Sequence, residues 1–269
     1  QPLDKKETAI PIRKPGEKPP CVLTLWPVIN LRGPVFTTLD TTWVATPASG
    51  IFVNEYLCCR SQDMPRGLAY RILDTGEPPP LPLEADVRER YLHVPETLTP
   101  EARAVAVEAL RGVATVPEKI QRAAGFFREH FTYKMGIQIP EGEDALSYFL
   151  TKRPAAHCEY FAAGAVFLLR LAGVPSRYVT GFVPSEKNIP GDYWVARNRD
   201  AHAWAEAWDP ERGWVTVEAT HHLVGSHSHD PWHSLVHYDN VRVPASAMLG
   251  EEGHGFAGAQ SRLAGCRLH

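Results

Sequence analysis

The sequence lacks the features that mark membrane-spanning, secreted-precursor and nucleic-acid-binding chains. No apolar run approaches the roughly 18 residues of a membrane span, and the N-terminal segment lacks the apolar stretch of a signal peptide. The formal net charge of −3 at pH 7 gives no reason to expect nucleic acid as a partner. We therefore expect a soluble chain, although it could be a piece cut from a larger, membrane-attached parent.

Cysteine is also scarce, and its spacing argues against two kinds of site. The 269 residues hold five cysteines, an odd number that leaves at least one thiol free unless an intermolecular bridge forms. No CxxC pair occurs, so neither a zinc ribbon nor a thioredoxin-type site is supported. Cys58 and Cys59 are adjacent and poorly placed to pair with each other. Five cysteines in so long a chain do not make a disulfide scaffold, which leaves the redox compartment open.

Composition divides the chain into four segments, and its length allows one large domain or two smaller ones. Residues 1–20 contain five prolines and many charges, which predicts an extended arm. Residues 21–95 begin with a stretch rich in Thr, Val and aromatic residues, which predicts an N-terminal strand-rich region. Residues 96–220 carry helix signals followed by strand signals. Residues 221–269 form a histidine-rich junction and a tail of different character.

The third segment predicts helices followed by strands. Thr99 and Pro100 have the pattern of a helix start, and the helix should run to Leu110. Pro117 opens a second helix with apolar residues at helical spacing. We expect a short strand at 131–133 and a short helix at 144–150. Further strands are predicted at 177–183, 193–197, 201–208 and 213–217, with a hairpin turn between the last two.

Cys158 opens an apolar helix that should end near Ala172, because Gly173 and then Pro175 follow. If the helix begins near His157, the thiol lies in its first turn, where unpaired N–H groups and the helix dipole favour a thiolate. The backbone N–H of Cys158 is then a candidate donor to an oxyanion. The alternative is a small buried hydrophobic residue, the commonest fate of a free cysteine.

His202 lies in a strand-like run in which alanines alternate with larger residues. Strand alternation places His202, Trp204 and Glu206 on one face and the alanines on the other. Small residues would let the strand approach the Cys158 helix closely, as a thiol–imidazole pair requires. A histidine packed in the core is the alternative.

Glu218 closes the next strand and is the candidate for the acid that orients the base. A turn near Pro210 would place Glu218 roughly across from residues 200–202, where it could accept the second ring N–H of His202. Glu206 competes for this role, but it lies four residues from His202 on the same strand, a distance of about 13 Å. We prefer Glu218, with a surface acid at a strand end as the alternative. Cysteine, histidine and acid in this order are typical of a thiol nucleophile and its base.

The residues around these three positions resemble the bacterial transglutaminase-like superfamily. Three blocks carry the resemblance, and they read CEYFA with LLRLAGVPSRYVTGF, then DAHAWAE, then GWVTVEAT. Upstream, RGPVF from Arg32, Leu39–Asp40, Trp43 and YLHVP from Tyr91 resemble the extracytoplasmic domain of membrane-anchored proteins of the TgpA type. The resemblance covers roughly residues 31–220.

This resemblance implies a papain-like α+β core in which the nucleophile helix packs on an antiparallel sheet. It implies a triad of Cys158, His202 and Glu218 within a catalytic core at 96–220, and acyl transfer from a carboxamide through a thioester. It places the site in the periplasm or outside the cell, whereas the chain's own sequence is also compatible with the cytoplasm. No cofactor is implied, since nothing here resembles the acidic calcium loop of some animal relatives.

The sequence departs from the family in two places. The third triad member is more often Asp, and Glu218 keeps the carboxylate on a side chain one methylene longer. After Thr220 the family usually continues into prolines, whereas this chain continues into histidines. From about Trp232 the tail resembles a fragment of an acyl-CoA dehydrogenase, too short to make that enzyme. We infer a fusion, frameshift or cloning junction near 221–232.

Several functions remain open at this point. The acceptor of the acyl group is either an amine or water, so that transglutamination and amide or peptide hydrolysis are both compatible with the triad. A protein or peptide bearing a carboxamide is the expected substrate. A catalytically silent binding module, and a metal-dependent hydrolase built on the tail histidines, are the other classes. The candidate residues for a substrate groove are His157, Tyr193, Trp194 and Trp204.

Overall fold

The computed structural model describes residues 8–12, 21–27, 33–38, 41–54, 58–61, 69–75, 82–184, 186–220 and 234–236. Most of the predicted arm and nearly all of the predicted junction and tail lie outside these ranges, as do Arg32, Leu39 and Asp40 of the upstream motif. Within the described ranges, no helix is both long and apolar enough to cross a membrane.

Helices occupy the middle of the chain and strands both ends. The helices are α1 (Ala85–Leu92), α2 (Pro100–Ala109), α3 (Val116–His130), α4 (Ala145–Lys152) and α5 (Cys158–Leu171). The strands are β1 (Thr8–Pro11), β2 (Cys21–Leu25), β3 (Gly33–Val35), β4 (Thr37–Thr38), β5 (Thr41–Thr46), β6 (Phe52–Val53), β7 (Cys59–Ser61), β8 (Tyr70–Asp74), β9 (Ser176–Phe182), β10 (Glu186–Asn188), β11 (Tyr193–Val195), β12 (Ala201–Asp209), β13 (Gly213–Val217) and β14 (Ser234–Val236).

The N-terminal strands form two small sheets around their own apolar cluster. One sheet has the order β1-β5-β8-β2 and the other β3-β7-β6. Their shared cluster is made of buried side chains, namely Val35, Val44, Cys59, Tyr70 and Ile72. The strands expected after residue 21 are therefore present. In addition, Thr8–Pro11 of the predicted arm pairs antiparallel with β5, because an exposed sheet edge accepts an extended segment.

Helix starts follow the capping residues of the sequence. Thr99 caps α2, and Thr115 caps α3 in a reciprocal capping box with Glu118. Asp144 caps α4 by accepting a hydrogen bond from the Ser147 N–H at 2.8 Å. The helices predicted at these three places are confirmed.

Helix α1 and the segment 131–133 differ from the prediction. Helix α1 has no capping side chain at its start, so the sequence carries no signal for it. Of the strand expected at 131–133, only Tyr133 makes a bridge, in a parallel pairing with Ala156. This bridge connects the end of α3 to the segment just before α5.

The helices enclose an aromatic core between α3, α4 and α5. Phe127, Phe149 and Phe161 are almost completely buried and contact one another with ring centroids 5.5 to 6.1 Å apart. Gly164 of α5 faces this cluster, and a Cβ placed there would lie 2.5 Å from the Cζ atom of Phe127. Phe127 lies on α3. Helices α3 and α5 therefore pack closely only because residue 164 has no side chain.

The C-terminal sheet supports one face of α5. Its order is β13-β12-β9-β14-β4, and every pairing in it is antiparallel. The alternate residues Ala203, Ala205 and Ala207 of β12 are buried and belong to the apolar clusters that α5 completes. The close approach predicted from the alanine pattern is confirmed, and so is the α+β class with a nucleophile helix on an antiparallel sheet.

The predicted strands of this sheet are present with shifted ends. Strand β12 is confirmed and extends to Asp209, whose Oδ1 accepts hydrogen bonds from the Glu211 and Arg212 N–H groups at 2.9 and 3.1 Å. These bonds hold the predicted turn before β13. Strand β11 ends at Val195, earlier than expected, and β10 pairs with it as a hairpin beyond the prediction.

The Gly164→Ala substitution should lower the free energy of unfolding by about 1–3 kcal/mol, because the new methyl group overlaps a buried ring that neighbouring aromatic rings hold in place. Urea denaturation followed by circular dichroism measures the effect. Gly125→Ala on α3 is the matched control, since a Cβ there lies 3.7 Å from the nearest atom, Glu129 Oε1. It should raise stability by about 0.5–1 kcal/mol through helix propensity. Equal changes in the two variants would contradict the close-packing argument.

Candidate active site

Cys158 is the first residue of α5, with His157 in the N-cap position. The segment before it is fixed by the backbone, since Ala156 exchanges hydrogen bonds with Thr132 and Lys134 at 3.1 and 2.8 Å. The Cys158 side chain is buried against Ala162 of its own helix and Ala203 of β12. The helix start expected near 157 is confirmed, and it places the sulfur at the end of the helix where backbone N–H groups have no helical acceptor.

His202 lies at the start of β12, beside the alanine that packs on Cys158. Its strand is held on both sides, by β13 and by β9, where Gly181 is opposite His202. Its ring is buried and stacks on the Trp204 indole with centroids 6.1 Å apart and planes 23° apart. The rotation of the imidazole is therefore restricted by packing as well as by hydrogen bonds.

Glu218 follows the last residue of β13 and contacts the imidazole directly. Its Oε2 atom lies 2.7 Å from His202 Nε2. The register differs from the sequence expectation, because Val217 lies opposite Ala205 and Glu218 is therefore level with Trp204 rather than with His202. The Glu218 side chain reaches His202 diagonally across the two strands.

The two nitrogens of His202 thus face different partners. Glu218 contacts Nε2, while Nδ1 is fully buried and has no hydrogen-bond partner among the described residues. The Cys158 side chain lies near the ring and raises its pKa, and Nδ1 is the nitrogen that Glu218 does not contact. The structure therefore places Cys158, His202 and Glu218 next to one another.

Electrostatics at the site favour an ion pair between His202 and Glu218. Burial alone would lower the pKa of His202, but the nearby Cys158 side chain, the hydrogen bond with Glu218 and the charges of both groups raise that pKa to about 9. Burial alone would raise the pKa of Glu218, yet hydrogen bonds from His202 and Thr220 and the charge of His202 hold it below its ordinary value. Both directions correspond to an imidazolium facing a carboxylate.

Glu206, the competing acid, is engaged elsewhere. Its Oε2 atom accepts from Arg177 Nε at 2.7 Å and from the second guanidinium nitrogen at 2.6 Å, and both side chains are buried. The Arg177 guanidinium also lies 4.0 Å from the Trp214 ring centroid. Glu206 therefore neutralises a buried cation between β9 and β12 rather than contacting His202.

The four groove candidates fall into two groups. His157 and Trp204 are buried next to the triad, with His157 Nε2 3.7 Å from Glu159 Oε2. Tyr193 and Trp194 lie on the exposed β10–β11 hairpin, where Lys187 Nζ is 6.0 Å from the Trp194 ring centroid. This hairpin connects β9 to β12 and so leaves the sheet near Gly181 and His202.

Two further residues contact the site, and the sequence reasoning did not single them out. Tyr178 on β9 packs against the cluster of Cys158, Ala162 and Ala203. Burial, with the nearby charges of Glu159 and Cys158, raises the pKa of its phenol, so that it stays protonated. Thr220 donates to Glu218. A hydroxyl two residues after a candidate acid is the signal that could have identified Thr220.

Metal binding by the tail histidines, His221, His222, His227 and His229, falls outside the described residues. Across the ranges that the structure does describe, no three His, Cys, Asp or Glu side chains cluster as metal ligands.

A thiol, an imidazole and a carboxylate in contact form a proton-transfer unit. An imidazole between a thiol and a carboxylate can accept the thiol proton, because the carboxylate stabilises the resulting imidazolium. The thiolate is then a nucleophile for a carbonyl carbon. The N–H groups at the start of α5, where Cys158 is the first residue, are candidate donors to the developing oxyanion.

The C-terminal region has a short match of a different kind. It is 60% identical over 37 residues, 14% of this chain and 9% of the other, to the Mycobacterium tuberculosis protein named "Probable acyl-CoA dehydrogenase FadE2". The match is weak because it is so short. The junction inferred near 221–232 stays a prediction.

A second set of matches covers a larger part of the chain. It is 35% identical over 144 residues, 53% of its length, to a Pseudomonas aeruginosa protein named protein-glutamine gamma-glutamyltransferase. The chain spans only 21% of that relative's length. The crystal structure of the periplasmic domain of TgpA from Pseudomonas aeruginosa superposes with a TM-score of 0.65 and 25% identity, over 77% of this chain and 72% of that one.

The family model of the transglutaminase-like superfamily matches residues 103–219. The match begins within α2, ends two residues after β13 and includes all three triad candidates. This match and the TgpA similarity confirm the resemblance inferred from the three sequence blocks. Residues 103–219 are thus similar to the transglutaminase-like superfamily, and the mixed helix and antiparallel-sheet fold is consistent with the papain-like core of that group.

Proposed function

We propose that this domain catalyses acyl transfer from a carboxamide through a thioester on Cys158, to an amine or to water. The observation that carries the proposal is the chain of groups in which His202 lies between Cys158 and Glu218, with 2.7 Å between His202 Nε2 and Glu218 Oε2. Such a chain has the order of groups needed to activate a thiol. An assembled chain of this kind argues against a silent binding module.

In the first half of the reaction, the Cys158 proton resides on His202 as a thiolate–imidazolium pair, and the thiolate attacks the carboxamide carbon. The carbonyl π electrons move to oxygen, and backbone N–H groups at the start of α5, including that of Cys158, hold the oxyanion. The oxyanion then re-forms the carbonyl and expels the nitrogen, which takes the proton from His202 and leaves as ammonia or an amine. The acyl group remains on sulfur as a thioester.

In the second half, His202 removes a proton from the incoming amine or water, which attacks the thioester carbon. Collapse of the second oxyanion breaks the carbon–sulfur bond, and the proton on His202 returns to the Cys158 sulfur. An amine yields a new amide bond, and water yields a carboxylate. Glu218 stays ionised throughout and holds the His202 ring with Nδ1 toward the sulfur.

The proposed substrate is a glutamine carboxamide in a protein or peptide. The name of the Pseudomonas aeruginosa relative, protein-glutamine gamma-glutamyltransferase, supports this choice. The similarity to a periplasmic domain supports a location outside the cytoplasm. Attachment of the parent protein to a membrane is a proposal that rests on the sequence resemblance alone. We also propose that residues 96–220 are the catalytic core, that 21–95 form a separate strand-rich region, and that 1–20 and 221–269 flank them as arm and junction.

Replacing Cys158 by Ala should reduce ammonia release from a glutamine-containing protein by at least about a thousandfold, because the covalent route is lost. The assay follows ammonia with and without a labelled primary amine. Cysteine-dependent ammonia release with amine incorporation supports transamidation, and the same release without incorporation supports hydrolysis. Ammonia release and peptide cleavage that persist unchanged in Cys158→Ala would refute the thiol mechanism.

Cys59→Ala is the matched control for this experiment. Cys59 is a buried thiol on β7, in the N-terminal apolar cluster, and burial raises its pKa to about 12. It is therefore protonated at neutral pH. This variant should retain the rate of the wild-type protein, which shows that the loss in Cys158→Ala is specific to the site.

The pH dependence of the reaction should follow His202. Acylation needs the imidazolium to protonate the leaving nitrogen, so kcat/KM should fall as pH rises through about 9, the raised pKa of His202. Glu218→Gln removes the carboxylate that raises this pKa. The alkaline limb should then move to lower pH by about one to two units. Measuring kcat/KM from pH 5 to 10.5 tests both statements.

Glu206→Gln separates this effect from general destabilisation. The substitution leaves Arg177 buried beside a neutral amide, so it should lower stability substantially. It does not touch His202, and the alkaline limb should therefore stay at the wild-type position. An alkaline limb that moves equally in Glu206→Gln and Glu218→Gln would contradict the assignment of Glu218.

A further inference from the structure

The Glu218 carboxylate is held from two sides, and only one side is His202. Thr220 donates its backbone N–H to Glu218 Oε1 at 2.8 Å and its hydroxyl to the same oxygen at 2.5 Å. The other oxygen, Oε2, contacts His202 Nε2 at 2.7 Å. Thr220 therefore holds one oxygen of the Glu218 carboxylate, and the other oxygen contacts His202. Thr220 itself is 2% exposed, so its hydroxyl has little contact with solvent.

Glu218 needs such an anchor because its own strand does not fix it. Strand β13 ends at Val217, so Glu218 lies just beyond the ladder pairs that the sheet supplies. Its side chain has three rotatable bonds and must reach diagonally to His202 rather than directly across. Without further contacts, several rotamers would be open to it. Two hydrogen bonds to an ionised oxygen are strong enough to select one of them.

We propose that Thr220 is a positioning residue, whose hydroxyl holds the Glu218 carboxylate in the rotamer that presents Oε2 to His202. The consequence for catalysis rests on the function proposed above, in which Glu218 orients the base. The hydroxyl acts through Glu218 and touches neither the thiol nor the substrate. It also supplies part of the stabilisation that keeps Glu218 ionised, and hence of the charge that favours the His202 imidazolium.

A purely local role is the competing explanation. A threonine that accepts or donates within two residues commonly stabilises a turn and has no effect on a neighbouring site. The two explanations differ in what they change. A local turn contact changes stability alone, whereas a positioning contact changes the protonation behaviour of the Cys158–His202 pair.

The test measures the rate at which iodoacetamide alkylates Cys158 between pH 5 and 10, by mass spectrometry of the peptide that contains it. This reading needs no carboxamide substrate and separates Cys158 from the other thiols. Thr220→Val removes the hydroxyl but keeps the backbone N–H and the shape of the side chain. Thr220→Ser keeps both donors. Thr151→Val is the matched control, since the Thr151 hydroxyl donates to the Ser147 carbonyl on α4, away from the site.

Cys158 in Thr220→Val should be alkylated about tenfold more slowly than in wild type at pH 6 to 7, because a less firmly held carboxylate lowers the pKa of His202 and so weakens the base that takes the thiol proton. The profile should move by about one pH unit. Thr220→Ser should remain within about twofold of wild type, and Thr151→Val should be unchanged. With a glutamine substrate, Thr220→Val should lower kcat and leave KM as it is.

A folded Thr220→Val protein with the wild-type alkylation profile would overturn the proposal. A Thr220→Ser protein whose alkylation rate falls as far as that of Thr220→Val would also overturn it, because the hydroxyl would then not determine the rate. If Thr220→Val does not fold, Thr220→Ala and Thr220→Ser carry the comparison. Failure of the proposed function gives a different result. In that case the wild-type protein is alkylated at Cys158 but releases no ammonia and cleaves no peptide, and the alkylation rates of the Thr220 variants can still be compared.

Discussion

The 2.7 Å contact between His202 Nε2 and Glu218 Oε2 is the interaction on which the arrangement of the site depends. It connects β12 and β13 near the end of β13, so its length depends on the register in which these two strands pair. That register depends in turn on the turn after Asp209, which two backbone N–H groups hold through the Asp209 carboxylate. A shift of one residue would direct the Glu218 side chain to the opposite face of the sheet.

The thiol reaches this contact because small residues allow close packing at two layers of the domain. Ala203 of β12 contacts Cys158, and Gly164 lets the other face of α5 approach the aromatic ring of Phe127. Larger side chains at either place would push the helix away from the strand. Helix α5 is therefore clamped between the phenylalanine cluster and the alanine face of β12, which fixes the sulfur relative to the imidazole.

Much of this arrangement follows from local sequence signals, and the rest depends on information that such signals lack. Gly173 and Pro175 define the end of α5, and the alanine alternation of β12 defines which face packs on the helix. The sequence predicts that Glu218 lies across the hairpin from residues 200–202. The structure places the Glu218 carboxylate 2.7 Å from the His202 ring, but residue 218 itself lies opposite Trp204. Strand periodicity gives the face of a residue but not how far its side chain reaches along the sheet. The pairing of residues 8–11 with β5 is a long-range contact, and nothing local in a proline-rich arm encodes it.

The diagonal geometry also bears on why a glutamate suits this position, where the family resemblance predicts aspartate more often. Val217 lies opposite Ala205, so residue 218 starts two positions away from the level of His202, and diagonal neighbours on adjacent strands lie about 7–8 Å apart at Cα. The additional methylene of glutamate extends the carboxylate toward the ring, but it also adds a rotatable bond and hence a larger loss of side-chain entropy on ordering. The hydrogen bonds from Thr220 offset that loss by selecting one rotamer. The longer side chain of Glu218 and the hydroxyl of Thr220 therefore act together to place a carboxylate against His202. An aspartate introduced at 218 alone would be expected to lose the contact with His202 even though the charge is kept.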